Sequence, residues 1–386
     1  MASGRRAQAP VVQEARRGVT TVPTYPCGEP PAAGHVREVA PGVLWLRMPM
    51  PFQLDHINLW ALRDLAPDGS PGWALVDTGL QTPETMQAWD SLLRTGGPLG
   101  GLPITRVLVT HMHPDHVGLA GWLARRHGCK LWMTREEYLN CRVLTADTGK
   151  QPPQDAIDFY SSAGWTDSNL DVYRERFGGF GKMIGPLPDS YRRLRDGEEL
   201  TIGENRWKVV VGTGHSPEHA CFHCPELRVL ISGDQVLPAI SSNVSVYPTE
   251  PQADPLADWL HSIGKIRAAV PDDVLVLPSH NKPFLGLHCR LDYLAAGHER
   301  GLDRLRDTLR EPSRAVDVFG ALFARPVTGE DHQLLQLATG ESLAHLNHLV
   351  GRGEAAVITP ADGVKRYYLT PAADGQDSKG KTCQME

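Results

Sequence analysis

Four side chains that can bind a metal ion lie within six residues, in the stretch VLVTHMHPDHVGLAG. They are His111, His113, Asp115 and His116. Neutral imidazoles and carboxylates are the ligands that zinc prefers, at about 2.0–2.2 Å each. Four ligands this close together are too many for one tetrahedral ion that must keep a position open for a substrate. We therefore predict that two adjacent divalent cations share them.

The cluster follows an apolar run over residues 107–110, and a segment of helical period begins beside Asp115. It therefore lies on a predicted strand-to-helix loop, which is where α/β proteins place their chemistry. Three more apolar runs end at metal-ligand residue types, namely His215, Asp234 and His280. Convergence of these strand ends predicts a single site. The alternative is a chance cluster of histidines on a loop.

The elements that must position these side chains alternate between strands and helices. Short apolar runs bounded by Pro, Gly or Asp predict strands in GVLWLRMPM, HINLWALRD and GWALVDTG. Helical spacing appears in TPETMQAWDSLLRTG, with Thr82 as N-cap, in DHVGLAGWLARRHG, and in TREEYLNCRVL, which Thr134 opens. Strands and helices return after residue 200. This rhythm predicts the α/β class or a mixed α+β sandwich.

The chain divides into a large domain and a small appendage. Residues 36–312 form the predicted catalytic domain, in which residues 140–190 are an inserted lid, because long excursions between core elements are usually functional. Residues 313–371 are predicted to form a helical, winged-helix-like module with a hairpin around residues 361–363. Cys221 and Cys224 lie on another predicted hairpin, whose strand geometry does not favour a redox or zinc motif.

Composition narrows the class of protein. The chain is 41% hydrophobic and 22% charged, as expected for a globular protein. Residues 1–35 are predicted to be a disordered N-terminal tail and residues 372–386 a flexible C-terminal tail. The sequence contains no run of eighteen apolar residues, so it predicts no membrane-spanning helix. Seven scattered cysteines do not suggest a disulfide framework, so we expect a cytoplasmic location. A net charge of -6 argues against nucleic acid as the main partner.

The order of the motifs resembles that of the metallo-β-lactamase superfamily. H-x-H-x-D-H is followed by G-H-S-P, by S-G-D and by a strand that ends in a histidine, and LVDTG matches an early motif of that family. The resemblance spans about residues 36–290 and implies an αββα sandwich with a dinuclear site along one edge. It implies that the first metal is bound by His111, His113 and His215. It implies that the second metal is bound by Asp115, His116 and His280, and that Asp234 binds both metals.

The two aspartates narrow the resemblance further. Because it has both Asp115 and Asp234, the sequence resembles the glyoxalase II, lactonase and thioesterase branches of the superfamily. The segment 313–371 resembles the C-terminal segment of one subgroup of β-lactamase-like proteins. That subgroup includes thioesterases of polyketide assembly and a single-strand endoribonuclease. Two divalent ions, zinc first with iron and manganese left open, would lower the pKa of a shared water toward about 7. We therefore expect a hydrolase in which Asp115 orients a metal-bridging hydroxide toward a small acyl substrate, a thioester, lactone or ester.

Five further residues are candidates for supporting roles. Asp77 is predicted to orient a ligand histidine from behind, with a turn aspartate as the alternative. His219 is either a ligand, a supporting residue or simply the first residue of a strand. Lys282, which follows His280 closely, could bind a substrate carboxylate or phosphate, or lie in solvent. Asn243 and Tyr247 follow the Asp234 loop and are predicted to line the substrate pocket.

Two other functions compete with acyl hydrolysis. A metal-dependent endoribonuclease could use the same ligands, because two metals can also bind a phosphodiester. The appended module, however, has five basic and six acidic side chains, and its helix ESLAHLNHLV has no Lys or Arg. The third possibility, a metal-binding scaffold without activity, is disfavoured because no ligand position is lost. The acyl substrate, and the oligomeric state with a homodimer among the options, stay open.

Overall fold

The computed structural model describes residues 22–371, and its framework is a pair of β-sheets packed face to face. The first sheet has seven strands in chain order. It is antiparallel from β1 to β4 and parallel from β4 to β7. Its strands are β1 (Arg37–Ala40), β2 (Val43–Pro49), β3 (His56–Leu65), β4 (Pro71–Val76), β5 (Ile104–Leu108), β6 (Lys130–Met133) and β7 (Arg192–Arg193).

The second sheet has five strands in the order β12-β11-β10-β9-β8. Its strands are antiparallel except for the parallel pair β11 and β12. They are β8 (Glu199–Ile202), β9 (Asn205–Gly212), β10 (His219–Cys224), β11 (Val229–Gly233) and β12 (Leu275–Pro278). The predicted hairpin that carries Cys221 and Cys224 is confirmed as β10 and β11.

Ten α-helices are found among residues 22–371, none of them long and apolar enough to span a membrane. They are α1 (Pro83–Leu93), α2 (Pro114–Val117), α3 (Ala120–His127), α4 (Arg135–Ala146), α5 (Gln154–Ala163), α6 (Asp167–Arg176), α7 (Pro255–Ala269), α8 (Leu287–Thr308), α9 (Phe319–Leu322) and α10 (His332–Gly351). Short 3-10 helices occupy Gly179–Met183 and Ala315–Val318.

Three apolar clusters give the layered architecture. Strand alternation in β3 sends Leu59 to one face and Trp60 to the other. Trp60 lies between the sheets, in a cluster with Trp207 and Phe222 of the second sheet. Leu59 packs on the outer face of the first sheet with residues of α1, α3 and α4, and the outer face of the second sheet packs against α7, α8 and α10. The predicted αββα sandwich is therefore confirmed.

The helix predicted from DHVGLAGWLARRHG is in fact two helices, α2 and α3. The prediction of one continuous helix was wrong because the backbone N–H of Leu119 donates outside the helix, to the Gly79 carbonyl at 3.2 Å and to Thr78 Oγ1 at 3.1 Å. The backbone of Gly118 also lies against this loop. A Cβ atom there would lie 2.5 Å from the carbonyl oxygens of Gly79 and Pro114. The helix is interrupted at Leu119, with φ of -103° and ψ of 9°, so Asp115 and His116 lie in the single turn of α2.

The N-terminal tail predicted to be disordered over residues 1–35 is shorter than expected, because residues 22–35 belong to the described structure. Thr24 and Leu285 exchange two backbone hydrogen bonds of 2.9 and 3.1 Å, and Cys27 is buried beside the inter-sheet cluster. Burial of this side chain and the β-bridge explain why residues 22–35 have defined contacts. The rest of the predicted tail, residues 1–21, and residues 372–386 lie outside the described residues.

The C-terminal segment contains one long helix and one hairpin. The predicted hairpin is confirmed as β13 (Ala355–Ile358) paired with β14 (Arg366–Leu369). The helix predicted in SRAVDVFGALF is present over residues 315–322 but shorter than the segment, as a 3-10 turn that continues directly into the four-residue α9. The Asp317 carboxylate accepts from the backbone N–H of Arg314 at 3.0 Å and from its guanidinium, which favours this tight turn. The winged-helix assignment stays a prediction.

Candidate metal centre

The candidate ligands lie where strands of both sheets end. Strand β5 ends at Leu108, three residues before His111, while β11 and β12 end directly before Asp234 and before the loop that holds His280. His215 follows the end of β9. Because β5 is parallel to β4, and β12 to β11, their carboxyl ends lie at a common edge of the sandwich. All seven predicted ligands are thus brought together from distant parts of the chain.

The first group consists of His111, His113, His215 and Asp234, whose ligand atoms all lie within 4.8 Å of one another. His111 Nε2 is 2.8 Å from His113 Nδ1 and 3.3 Å from His215 Nε2. Asp234 Oδ2 is 3.5 Å from His215 Nε2. The three imidazoles therefore face one point with one nitrogen each, a set that zinc, iron or manganese could occupy.

The second group consists of Asp115, His116 and His280. His280 Nε2 is 3.4 Å from Asp115 Oδ2 and from Asp234 Oδ1, while His116 Nε2 is 3.5 Å from each of these oxygens. Asp234 therefore faces the first group with Oδ2 and the second group with Oδ1. This arrangement can hold two adjacent cations that share one carboxylate.

The Nδ1 atoms of three histidines contact outer partners, which direct each Nε2 into the site. His116 Nδ1 is 2.8 Å from Asp77 Oδ2, and His280 Nδ1 is 2.9 Å from the carbonyl of His56. His215 Nδ1 is 2.7 Å from the carbonyl of Asn243. Such outer partners fix the tautomer and ring orientation of a metal ligand. The predicted position of Asp77 behind a ligand histidine is what the structure has.

Electrostatics differ between the two groups. Burial, reinforced by neighbouring imidazoles, lowers the pKa of His111 well below its ordinary value and that of His113 to about 3. Burial also opposes charge on His280, but the carboxylates Asp234 and Asp115 outweigh it and raise the pKa of His280 to about 10. The pKa of His116 is raised well above its ordinary value, because nearby carboxylates outweigh burial there as well. A cation must therefore compete with protons mainly in the second group.

Unsatisfied polar atoms indicate that the site fits a metal. His116 Nε2 and Asp234 Oδ1 are buried and have no hydrogen-bond partner among residues 22–371. Buried polar groups are normally paired, because an unpaired one costs about 1–3 kcal/mol. A divalent cation would satisfy both atoms, and the His and Asp donor set suits it chemically.

His219 is buried and its ring stacks on that of His111, with centroids 4.7 Å apart, but its Nε2 accepts a 3.0 Å hydrogen bond from the backbone N–H of Asp234 and belongs to neither ligand group. It is the first residue of β10 and supports the Asp234 loop. Lys282 Nζ donates to Glu29 Oε1 at 2.7 Å, an ion pair with the segment before β1. Its predicted role in substrate binding stays a prediction.

A cavity of about 240 Å³ opens beside His113 and Pro114. Tyr247 lines it, as does the neighbouring backbone segment at Ser245, whereas Asn243 does not. Most of the remaining wall comes from the predicted lid and from α10. These residues are Tyr160, Phe180, Met183, Gln333, Gln336 and Leu337.

Sequence analysis missed Glu137 of α4, which is buried and holds two ligand loops together. Its Oε2 accepts from the backbone N–H of Met112 at 2.8 Å. Its Oε1 accepts from Ser216 Oγ at 2.6 Å and from the backbone N–H of Glu218 at 2.9 Å. The sequence signal is weak, since Glu137 lies beside the exposed Glu136 in an ordinary helix opening.

Two family models match different parts of the chain. A family model described as "Metallo-beta-lactamase superfamily" matches residues 60–280, and one described as "Metallo-beta-lactamase-like, C-terminal domain" matches residues 302–370. The crystal structure of a β-lactamase domain protein from Burkholderia ambifaria is similar at a TM-score of 0.82 and 43% identity, over 90% of this chain and 98% of that chain.

Two curated proteins are similar at lower identity. A probable metallo-hydrolase from Bacillus subtilis is 22% identical over 85% of this chain and 98% of its own length. An atrochrysone carboxyl ACP thioesterase from Aspergillus fumigatus is 24% identical over 70% of this chain and 48% of its own length. With the fold and the motifs already described, these matches establish that the chain belongs to the metallo-β-lactamase superfamily of metal-dependent hydrolases.

Proposed function

We propose that this protein is a dinuclear metal-dependent hydrolase of a small acyl substrate, a thioester or else a lactone or ester. The observation that carries the proposal is the position of Asp234, whose two carboxylate oxygens face the two ligand groups at 3.4–3.5 Å. His111, His113 and His215 would hold one cation and Asp115, His116 and His280 the other. Zinc is our first choice, with iron and manganese as alternatives.

Bound divalent cations would supply Lewis acidity, which polarises a carbonyl and lowers the pKa of water. Hydrolysis joins the water oxygen to the carbonyl carbon, breaks the C–S or C–O bond, and transfers a proton to the leaving thiol or alcohol. Asp115 could orient the attacking water, because its side chain is 16% exposed to the opening of the site. The imidazoles outweigh burial and lower the pKa of Asp115, so it is ionised and can accept a hydrogen bond.

The cavity beside His113 favours an acyl chain over a phosphodiester. Phe180, Met183, Val246 and Leu337 give it an apolar wall, and no Lys or Arg of residues 22–371 lines it. Its volume of about 240 Å³ lies below the roughly 300–1,000 Å³ of sites for drug-sized ligands. We infer that it accepts only the acyl group, while a larger thiol or alcohol carrier lies outside.

The thioester is our preferred bond because one of the similar proteins is named as a thioesterase. That protein is only 24% identical, and the match covers less than half of its length. The name therefore supports the bond type and does not specify the acyl group.

The test is a comparison of substrates with metal-loaded protein. We expect hydrolysis of short acyl thioesters to exceed that of lactones and of single-stranded RNA, to stop after chelation, and to return on addition of zinc, manganese or iron. Asp115→Ala should abolish turnover while Lys130→Ala, an exposed substitution on β6, should not. RNA cleavage at comparable efficiency, lost in the Asp115 variant, would instead support the endoribonuclease alternative.

A further inference from the structure

The C-terminal helix α10 contacts the loop that supports His215. Asn243 lies in this loop, and its backbone carbonyl is the 2.7 Å partner of His215 Nδ1. Its side chain points the other way, where Nδ2 donates to Glu341 Oε2 of α10 at 2.8 Å. A carboxylate of the C-terminal module is thus linked through one amide residue to a candidate metal ligand.

Three positions on one face of α10 hold the same loop. The Leu337 carbonyl accepts from Ser245 Oγ at 3.4 Å, and the Gly340 carbonyl accepts from the backbone N–H of Val246 at 3.0 Å. Leu337, Gly340 and Glu341 have the spacing i, i+3 and i+4, so they lie on one side of the helix. The loop therefore docks on the helix along a line of hydrogen bonds rather than at a single contact.

Gly340 permits this close approach. A Cβ atom at that position would lie 2.7 Å from Ser245 Oγ and 2.8 Å from Ser245 Cβ. Burial raises the pKa of Glu341 to about 7, which means that the fold keeps a carboxyl group in a place unfavourable for its charge. The hydrogen bond from the Asn243 amide gives a reason for burying this carboxyl group despite the unfavourable free energy of its charged form.

We propose that Glu341 is a positioning residue of the metal centre: through Asn243 it sets the orientation of His215, so that the C-terminal module completes the first ligand group. The inference rests on the proposed function only in requiring that the two groups bind metal. It gives the appended module a role inside the active site, whatever acyl group the cavity takes.

The experiment measures zinc affinity and does not depend on turnover. Apoprotein is titrated with zinc against a chromophoric chelator to resolve two binding steps, and His215→Ala and His280→Ala assign each step to a ligand group. Glu341→Ala should weaken the His215 step by about tenfold, the lower end of the effect of losing an outer partner. The His280 step should stay unchanged. Glu341→Gln, which keeps an acceptor oxygen for the Asn243 amide, should restore the affinity.

Leu349→Ala is the matched control, because Leu349 is buried on α10 away from the loop and its loss destabilises the module without touching Asn243. It should leave both zinc steps unchanged. Equal weakening of both steps in Glu341→Ala and Leu349→Ala would overturn the positioning role, and so would a Glu341→Ala variant that binds zinc like the wild type. Wild-type protein that takes up none of zinc, iron and manganese would overturn the proposed dinuclear function, and the positioning role with it.

Discussion

The carboxylate of Asp77 controls His116 from behind while also holding the loop that begins the ligand cluster. Oδ1 accepts from the backbone N–H of Thr110 at 2.8 Å, and Oδ2 lies 2.8 Å from His116 Nδ1. The residue adopts a left-handed backbone conformation with φ of 62°, a region that aspartate and asparagine tolerate better than most residues. Both oxygens of this side chain are needed, so its amide counterpart is an informative substitution.

Asp77→Asn should weaken the zinc step assigned to His280 and His116 by about 10- to 100-fold, the range for loss of an outer partner. The asparagine keeps the backbone conformation but has only one acceptor oxygen for three donors, the Thr110 backbone N–H, the Thr110 hydroxyl and His116 Nδ1. Zinc titration of the apoprotein measures the effect, with Asp158→Asn on the exposed side of α5 as control. Unchanged affinity in Asp77→Asn would show that the Asp77 carboxylate does not support the second group.

Glu137 tests whether the ligand loops need a common anchor. Glu137→Ala should lower the free energy of unfolding by about 1–3 kcal/mol or more, because it leaves one buried and two partly buried donors without their acceptor. It should also reduce zinc uptake at the first group, since Met112 and Ser216 adjoin its ligands. Urea unfolding and metal analysis measure both effects. Glu136→Ala, one residue earlier and exposed, should leave both at wild-type values.

At the level of elements, the break between α2 and α3 leaves Asp115 and His116 on a helix of a single turn. Gly118→Ala should destabilise the fold by about 1–3 kcal/mol, the cost of overpacking, because the added Cβ would lie 2.5 Å from two carbonyl oxygens. Gly264→Ala in α7 is the matched control. Nothing lies within 4 Å of its Cβ position, so it should stabilise by roughly 0.5–1 kcal/mol. Urea unfolding of both variants checks the contrast, which equal effects would contradict.

Element order was largely predictable from the sequence because apolar runs end abruptly at polar ligand types. Val109 and Ile231, for example, are fully buried, while His111 and Asp234 a few residues later face the site. The helix break at Leu119 was not predictable, because its cause is the contact with the loop at Thr78 and Gly79, which is distant in the sequence. The same holds for Asn243, whose carbonyl rather than its side chain supports His215. Such roles depend on contacts that leave no local pattern.

At the level of the whole molecule, the C-terminal module and the predicted lid share one apolar core with the second sheet. Trp165 donates from Nε1 to Thr339 Oγ1 of α10 at 2.9 Å, and Tyr160 accepts from Gln336 at 3.0 Å. Both aromatic side chains belong to the cluster that contains Trp259 and Leu346. The cavity wall is therefore built from packed elements, and the stability of this core should affect the site.

Two buried histidines in this core make its stability dependent on pH. His298 Nδ1 of α8 lies 3.3 Å from His345 Nε2 of α10, and burial lowers the pKa of His298 to about 3 and that of His345 to about 4. In the unfolded chain both would titrate near 6.5, so between these values the unfolded state binds more protons. Their contribution to stability is therefore complete above about pH 6.5 and is lost as the pH falls toward 4.

We expect the free energy of unfolding to fall between pH 6 and pH 4, by on the order of 1 kcal/mol per pH unit for each histidine. His298→Asn keeps a donor toward His345 Nε2 but cannot be protonated in this range, so it should flatten the profile relative to the wild type. His261→Gln, at an exposed position of α7, should not. Urea unfolding across this pH range provides the comparison. Parallel profiles for His298→Asn and the wild type would mean that acid acts elsewhere, and that protonation does not loosen the packing of α10 against the catalytic domain.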